Sequence, residues 1–404
     1  MEKYDIGIVG AGVAGTFAAL KAAESYKAKV ILFELGHKPG KRRRFLEGFL
    51  GCFPTGDGKI YTNSVEQILE YVDGRTAKAA NNWVMKQFDS IVKNKIIKDK
   101  LPSVALQKRA EQANIKISTN DYIQWKPESI HLLSKQVTEI IEQSGNITFS
   151  FDNEVTRITK QKNGFTVSTS TEGEIFVKKL ILCVGRSGWR WVNSLYKDFG
   201  LTIKDDTASY GVYLECTAGQ LKELNKSHCT LSRDDIEVGP FNWNGTIIPE
   251  DHADLVISAF RSNEDRWKSD KVSFSLIGHR KVDDDSGVNQ TDRLGKLAYL
   301  LFNDRIGKEK IKNIMKGDSP LSQLPEYEWL KESITELNTI IPNLITKGSY
   351  HAPNISPLAS AIRIGPNLET EIEDMFVAGE SGRFKGISAA AISGTVAMES
   401  ACKK

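Results

Sequence analysis

Residues Gly10-Ala11-Gly12-Val13-Ala14-Gly15 form a complete GxGxxG run directly behind a short apolar run, Ile6–Val9. That spacing suits one kind of chemistry, the holding of a dinucleotide's phosphates. Gly10 permits the turn from strand to helix, Gly12 lets the backbone approach a pyrophosphate without a Cβ in the way, and Gly15 lets helix and strand pack closely. A helix opening at Val13 and Ala14 offers free N–H groups and the positive end of its dipole to an anion. A second apolar run, Val30–Phe33, ends in Glu34, 19 residues beyond Gly15. An acid at that distance accepts hydrogen bonds from ribose hydroxyls and repels a 2′-phosphate. Glu34 and its neighbour Leu35 are therefore expected at the nucleoside. A lone GxGxxG is a weak signal; two flanking strands and an acid in register strengthen it. FAD and NAD share the fingerprint, so the motif leaves that choice open.

The end of the chain carries a second strand–glycine–acid–helix unit. Met375–Ala378 reads as a strand, Gly379-Glu380-Ser381-Gly382 as a turn, and Gly386-Ile387-Ser388 opens a helix of small residues. Mid-chain, the strand Lys179–Val184 closes in a turn at Gly185-Arg186-Ser187-Gly188. Together these resemble the glutathione-reductase-type flavoproteins. The resemblance implies FAD, with Glu380 on the ribityl chain and the last helix facing the flavin pyrimidine. It also implies that Val155 touches the adenine through its backbone and that the chain leaves the FAD domain near Val184 and Gly185. The segments Gly48–Lys59, Val184–Ser187, Ser209–Glu215 and Ala378–Gly382 narrow the resemblance to a family of bacterial FAD-dependent dehydrogenases. The matches run from residue 6 to residue 394. The chain departs from that family at Gly51-Cys52, at Arg186 in place of a histidine, and at Phe384-Lys385. It also lacks the family's cysteine-rich loop and long N-terminal extension.

Around these motifs stand side chains able to do chemistry. Lys41-Arg42-Arg43-Arg44 is a basic run, and Arg42 is expected on a cofactor phosphate. Cys52 is a candidate for a thiolate adduct at the flavin. Lys59 is a candidate hydrogen-bond partner of flavin N5, and His351 a candidate acid–base group. Arg383 and Lys385, at the mouth of the last helix, would favour a reduced, anionic flavin. The chain has no second GxGxxG, which argues against an integral NAD(P)H domain, and no CxxC, which excludes a vicinal dithiol relay. Its six histidines form no HxxxH pair, and no metal site is expected. Asp283-Asp284-Asp285-Ser286-Gly287 lacks the spaced ligands of a calcium loop and reads as solvated.

The elements that must position these residues give an α/β (α+β overall) architecture. A Rossmann-like FAD-binding domain is assembled from N- and C-terminal segments, residues 1–75, 126–202 and 346–404. A mixed-sheet substrate domain spans 203–345, and a lysine-rich helical insertion or lid spans 76–125. Ser64 and Gln67 are spaced as a capping box for a helix over Thr62–Val72. Asn163-Gly164 marks a hairpin turn, and Gly317 ends a helix over Lys308–Met315. The 404 residues carry 54 Lys+Arg against 51 Asp+Glu, a net charge too small to imply a nucleic-acid or membrane partner. Five scattered cysteines read as reduced thiols, and no apolar stretch approaches a membrane span. The expectation is a cytoplasmic FAD-dependent oxidoreductase acting on a small-molecule substrate. Its external electron donor or acceptor would be NAD(P)H or a partner protein. The alternatives are a flavin monooxygenase and a non-catalytic FAD-binding protein contacting a protein or tRNA.

Overall fold

The computed structural model describes residues 2–42, 44–252, 255–262, 264–282, 286–356 and 360–403. Arg43 of the basic run and Asp283-Asp284-Asp285 lie outside them. The chain forms two units. One comprises Met1–Ile96, Ile123–Lys204 and Leu358–Lys404; the other comprises Ile97–Tyr122 and Asp205–Pro357.

The first unit is built on a sheet of seven described strands. Ile147–Ser150, Val30–Phe33, Lys3–Val9, Gly173–Leu182 and Met375–Val377 run parallel, in that spatial order. Val30–Phe33 is buried throughout, as expected of a strand covered on both faces. The first half of Gly173–Leu182 pairs instead with the hairpin Val155–Gln161/Gly164–Thr169, which turns at Asn163-Gly164 as its sequence requires. Helix Val13–Ser25 follows the first strand, and helix Ile387–Lys403 follows the last parallel strand. Both are rich in alanine, and their backbones approach closely: a Cβ added at Gly394 would lie 2.0 Å from Ala14 O.

The second unit is an eight-stranded sheet, antiparallel in all its described pairs, where the sequence suggested a mixed one. Thr207–Thr217 lies at its centre between Lys271–Lys281 and Ser349–Ile355. Tyr210, Val212, Leu214 and Cys216 alternate into an apolar core shared with helices Gly287–Leu301 and Tyr327–Ile340. The intervening residues Tyr213 and Glu215 belong to the other face. A separate ribbon, Thr246–His252 with Leu255–Arg261, buries Glu250 between His252 and Arg261. Burial raises the Glu250 pKa, but His252 and Arg261 override it and bring it to about 2.

Three segments differ from the sequence reading. Residues 76–125 are not one insertion. Helix Gly74–Ile91 packs in the first unit, whereas helix Val104–Gln112 and strand Lys116–Ser118 belong to the second, where the strand extends the sheet. Residues 349–355 are a strand of the second sheet rather than part of the closing FAD segment. The capping box at Ser64 is absent: Ser64–Ile68 is a 3-10 turn without a side-chain cap. Gln67 is used elsewhere, its amide exchanging hydrogen bonds with the N–H and C=O of Lys385 at 2.8 and 3.0 Å.

Gly394→Val should push the terminal helices apart and cost about 1–3 kcal/mol. Thermal unfolding followed by circular dichroism checks this. Gly74→Ala, where an added Cβ meets nothing within 4 Å, should leave the melting temperature unchanged or slightly raised.

Candidate flavin site

At the carboxyl ends of the parallel strands the first unit opens into a cleft of about 290 Å³. Its position is the expected one for a ligand of a doubly wound sheet. Gly10, Gly12, Val13 and Ala14 form one wall, with Glu34 and Leu35 beside them. Val155, Val184 and Gly185 line it from the hairpin and the mid-chain strand, and Gly379, Glu380, Gly386 and Ile387 from the C-terminal segment. Chain positions almost four hundred residues apart thus converge on one space.

The motif's glycines separate physically. Gly10 has φ +99°, and a Cβ there would stand 2.7 Å from Cys183 O. Gly15 is a packing residue away from the cleft wall, its missing Cβ only 1.9 Å from Gly10 O. At Gly12 an added Cβ meets no protein atom within 4 Å. Gly12 is also the N-cap of helix Val13–Ser25, and no side chain caps that end. An open cradle before an uncapped helix N-terminus fits a pyrophosphate.

Two carboxylates face this space in different states. Glu34 Oε2 accepts from Ala11 N at 2.7 Å, and Oε1 accepts from Gly36 N at 2.8 Å and Gly48 N at 2.9 Å. Three of a carboxylate's roughly four acceptor sites are therefore taken. Glu34 retains capacity for one ribose hydroxyl, where two were expected. Glu380 Oε1 lies 3.4 Å from Arg186 Nε, and its Oε2 is buried with no hydrogen-bond partner. Such an atom calls for a donor, and a sugar-alcohol hydroxyl supplies one. The residues present therefore fit an FAD: Gly12 and the helix N-terminus for its phosphates, Glu34 for its ribose, Glu380 for its ribityl chain.

Several expected residues have other roles. Arg42 donates to the carbonyls of Phe45, Glu47 and Gly51 through one terminal nitrogen and to Phe49 through the other. It organises the loop from inside and does not clamp a phosphate. Burial pulls its pKa down, an effect opposed by Cys52 and Glu34. Ser388 Oγ donates to Tyr61 O at 2.6 Å. The Lys385 side chain is exposed, and Arg383, at φ 62°, ends the turn before it. Neither Ser388 nor Lys385 lines the cleft. Lys59 is buried with Nζ 3.2 Å from Asp57 Oδ2, also off the cleft wall. Cys52 does line it, exposed and outside any disulfide. His351 stands in the second unit, its Nε2 buried 3.6 Å from Glu215 Oε2.

The sequence reading passed over two contributors. Trp191, on helix Trp189–Asp198, and Arg186 both line the cleft. Arg186 had a visible signal, since it stands where the related dehydrogenases carry histidine. Trp191 had none beyond the apolar spacing of its helix. Among the described residues no group of acids, histidines and cysteines could hold a metal.

Gly12→Ala should leave the melting temperature of the apoprotein unchanged while weakening FAD binding tenfold or more, measured by titrating the apoprotein. Arg42→Gln should do the reverse. By orphaning carbonyls it should destabilise the apoprotein by about 2–3 kcal/mol, whereas a phosphate clamp would lose affinity alone.

The chain is similar to several solved proteins. Glycine oxidase from Geobacillus kaustophilus is 12% identical over 100% of this chain and 96% of its own, with a TM-score of 0.43. L-alpha-glycerophosphate oxidase from Mycoplasma pneumoniae, solved with FAD bound, is 15% identical over 98% and 94%, at 0.42. A variant of halogenase PltM in complex with FAD is 11% identical over 98% and 70%, at 0.47. No curated protein sequence matches the chain. The profile of the family described as Glucose inhibited division protein A matches residues 5–226, more than half of the 404. The chain belongs to that family of FAD-dependent flavoproteins.

Proposed function

We propose that the chain is an oxidoreductase that exchanges a hydride between flavin N5 and an organic substrate while a side chain handles the proton. Bound FAD would supply the two-electron centre. The observation that carries the reading is the unpartnered, buried Oε2 of Glu380 in a cleft that also receives the N-termini of two helices. Gly12 and the first turn of helix Val13–Ser25 would bind and orient the phosphates. Glu380, steadied by Arg186, would fix the ribityl chain. Cys52 has the exposure needed to react from the cleft wall. The Lys59–Asp57 pair would act at a distance, through its charges, rather than by a bond to N5.

His351 stands in the second unit with Glu215 beside it. Burial alone would raise the Glu215 pKa, but His351, Lys271 and Lys308 together hold it well below the ordinary 4.5. The carboxylate is thus ionised at neutral pH. At 3.6 Å its contact with His351 is longer than a hydrogen bond.

The test is anaerobic reduction of the purified holoprotein with a panel of alcohols, amines, hydroxy acids and nicotinamides, read by flavin bleaching. At least one should bleach the flavin within a turnover time. A flavin that no reductant bleaches would leave a binding protein in place of an enzyme.

A further inference from the structure

Ten large hydrophobic side chains stand exposed among the described residues, and five fall between Val92 and Val104. Three belong to the second unit: Ile97 at 38% exposure, Leu101 at 57% and Val104 at 67%. Exposed aliphatic residues scattered singly need no explanation, but such clustering does. The stretch is also a lysine run. Lys98 and Lys100 are interleaved with it, and Lys108 is exposed one turn beyond Val104 on helix Val104–Gln112. Lys222 and Lys226 are exposed on an adjoining turn. That turn is fastened to the stretch: Asn225 Nδ2 donates to Leu101 O at 3.2 Å, and Ser103 N to Glu223 O at 2.6 Å. Nearby acids are engaged. Glu223 pairs with Arg109, Asp121 with Lys98, and Asp99 accepts the N–H groups of His228 and Lys100.

We infer that this patch is a docking surface for an anionic lipid bilayer, on which the protein sits peripherally. The chemistry distinguishes a bilayer from a nucleic acid. The exposed apolar groups are aliphatic, able to enter the acyl boundary but unable to stack on bases as aromatic platforms do. The exposed cations are lysines, whose long stems lie along apolar surface while their ammonium groups remain at the headgroups. They lack the planar fork that makes arginine the preferred reader of phosphodiester backbones. Burying three aliphatic ends alongside Lys100, Lys108, Lys222 and Lys226 supplies both the apolar and the electrostatic contribution that reversible attachment to a membrane surface needs.

The experiment sediments the holoprotein with vesicles of equimolar phosphatidylglycerol and phosphatidylcholine, and with phosphatidylcholine alone. Binding should be confined to the anionic vesicles and should weaken with added salt. Leu101→Ser combined with Val104→Ser should lower the partition coefficient about tenfold. Lys100→Gln and Lys222→Gln should each lower it roughly fivefold, the equivalent of about 1 kcal/mol per charge near the surface. These positions are exposed, so an unchanged flavin spectrum and melting temperature would show that the variants are folded. The inference is overturned by failure to bind anionic vesicles, by equal binding to neutral ones, or by serine variants that bind like the parent. It is equally overturned if bulk tRNA binds more tightly than the vesicles and does so independently of Leu101 and Val104.

Discussion

The carbonyl oxygen of Ala14 occupies the place where a side chain at position 394 would begin. That contact lets two helices, one from each end of the chain, run side by side under the same parallel sheet. Gly379 makes a similar demand, since a Cβ there would stand 2.9 Å from that of Ala14. Alanine and glycine at this seam therefore bring both helix N-termini to one edge of the sheet. With larger residues the helices would separate, and the cleft would lose one of its two sources of backbone N–H groups. The cleft's ability to receive an anionic dinucleotide depends on this packing before it depends on any charged residue.

Among the described residues, the wall between Gly36 and Gly51 has no regular secondary structure, and two charged side chains order it in opposite senses. Glu34 gathers backbone N–H groups from Ala11, Gly36 and Gly48. Arg42 gathers carbonyl oxygens from Phe45, Glu47, Phe49 and Gly51. A loop near the protein interior must satisfy its peptide groups somehow. Here a carboxylate takes the donors and a guanidinium takes the acceptors, so each ion does the work that a strand partner does elsewhere. Charge that looks available to a ligand in the sequence is committed to the backbone.

That commitment explains what was legible beforehand. The GxGxxG run, the acid after the second strand, the Asn163-Gly164 hairpin and the helix stop at Gly317 all depend on neighbours a few residues away, and each lies where its spacing puts it. Arg42 does not, because a basic residue's attraction to phosphate can be read from its type while its attraction to four carbonyls depends on a loop path. Gln67 has the spacing of a capping box, yet its partner is Lys385, more than three hundred residues away. His351 lies close in sequence to the closing strand of the flavin unit, but antiparallel pairing with Tyr213 takes it into the other unit's sheet.

The buried carboxylates give the last step. Glu34 is satisfied by three N–H groups, Glu250 by His252 and Arg261, and Glu215 by two lysines with His351 nearby. Each has partners on both oxygens within the protein and a structural reason for being there. Glu326 also leaves an oxygen unpartnered, and burial raises its pKa, outweighing the opposing pull of Arg280. Glu380 differs from all of these. It has a guanidinium within ion-pair reach, one oxygen still without a donor, and a place on the wall of an open cleft. A buried acceptor left incomplete calls for something else to complete it. For a dinucleotide with a sugar-alcohol chain, that missing donor is a hydroxyl, and this is why the site is marked more clearly by Glu380 than by the acid of the N-terminal motif, three of whose acceptor sites the backbone already takes.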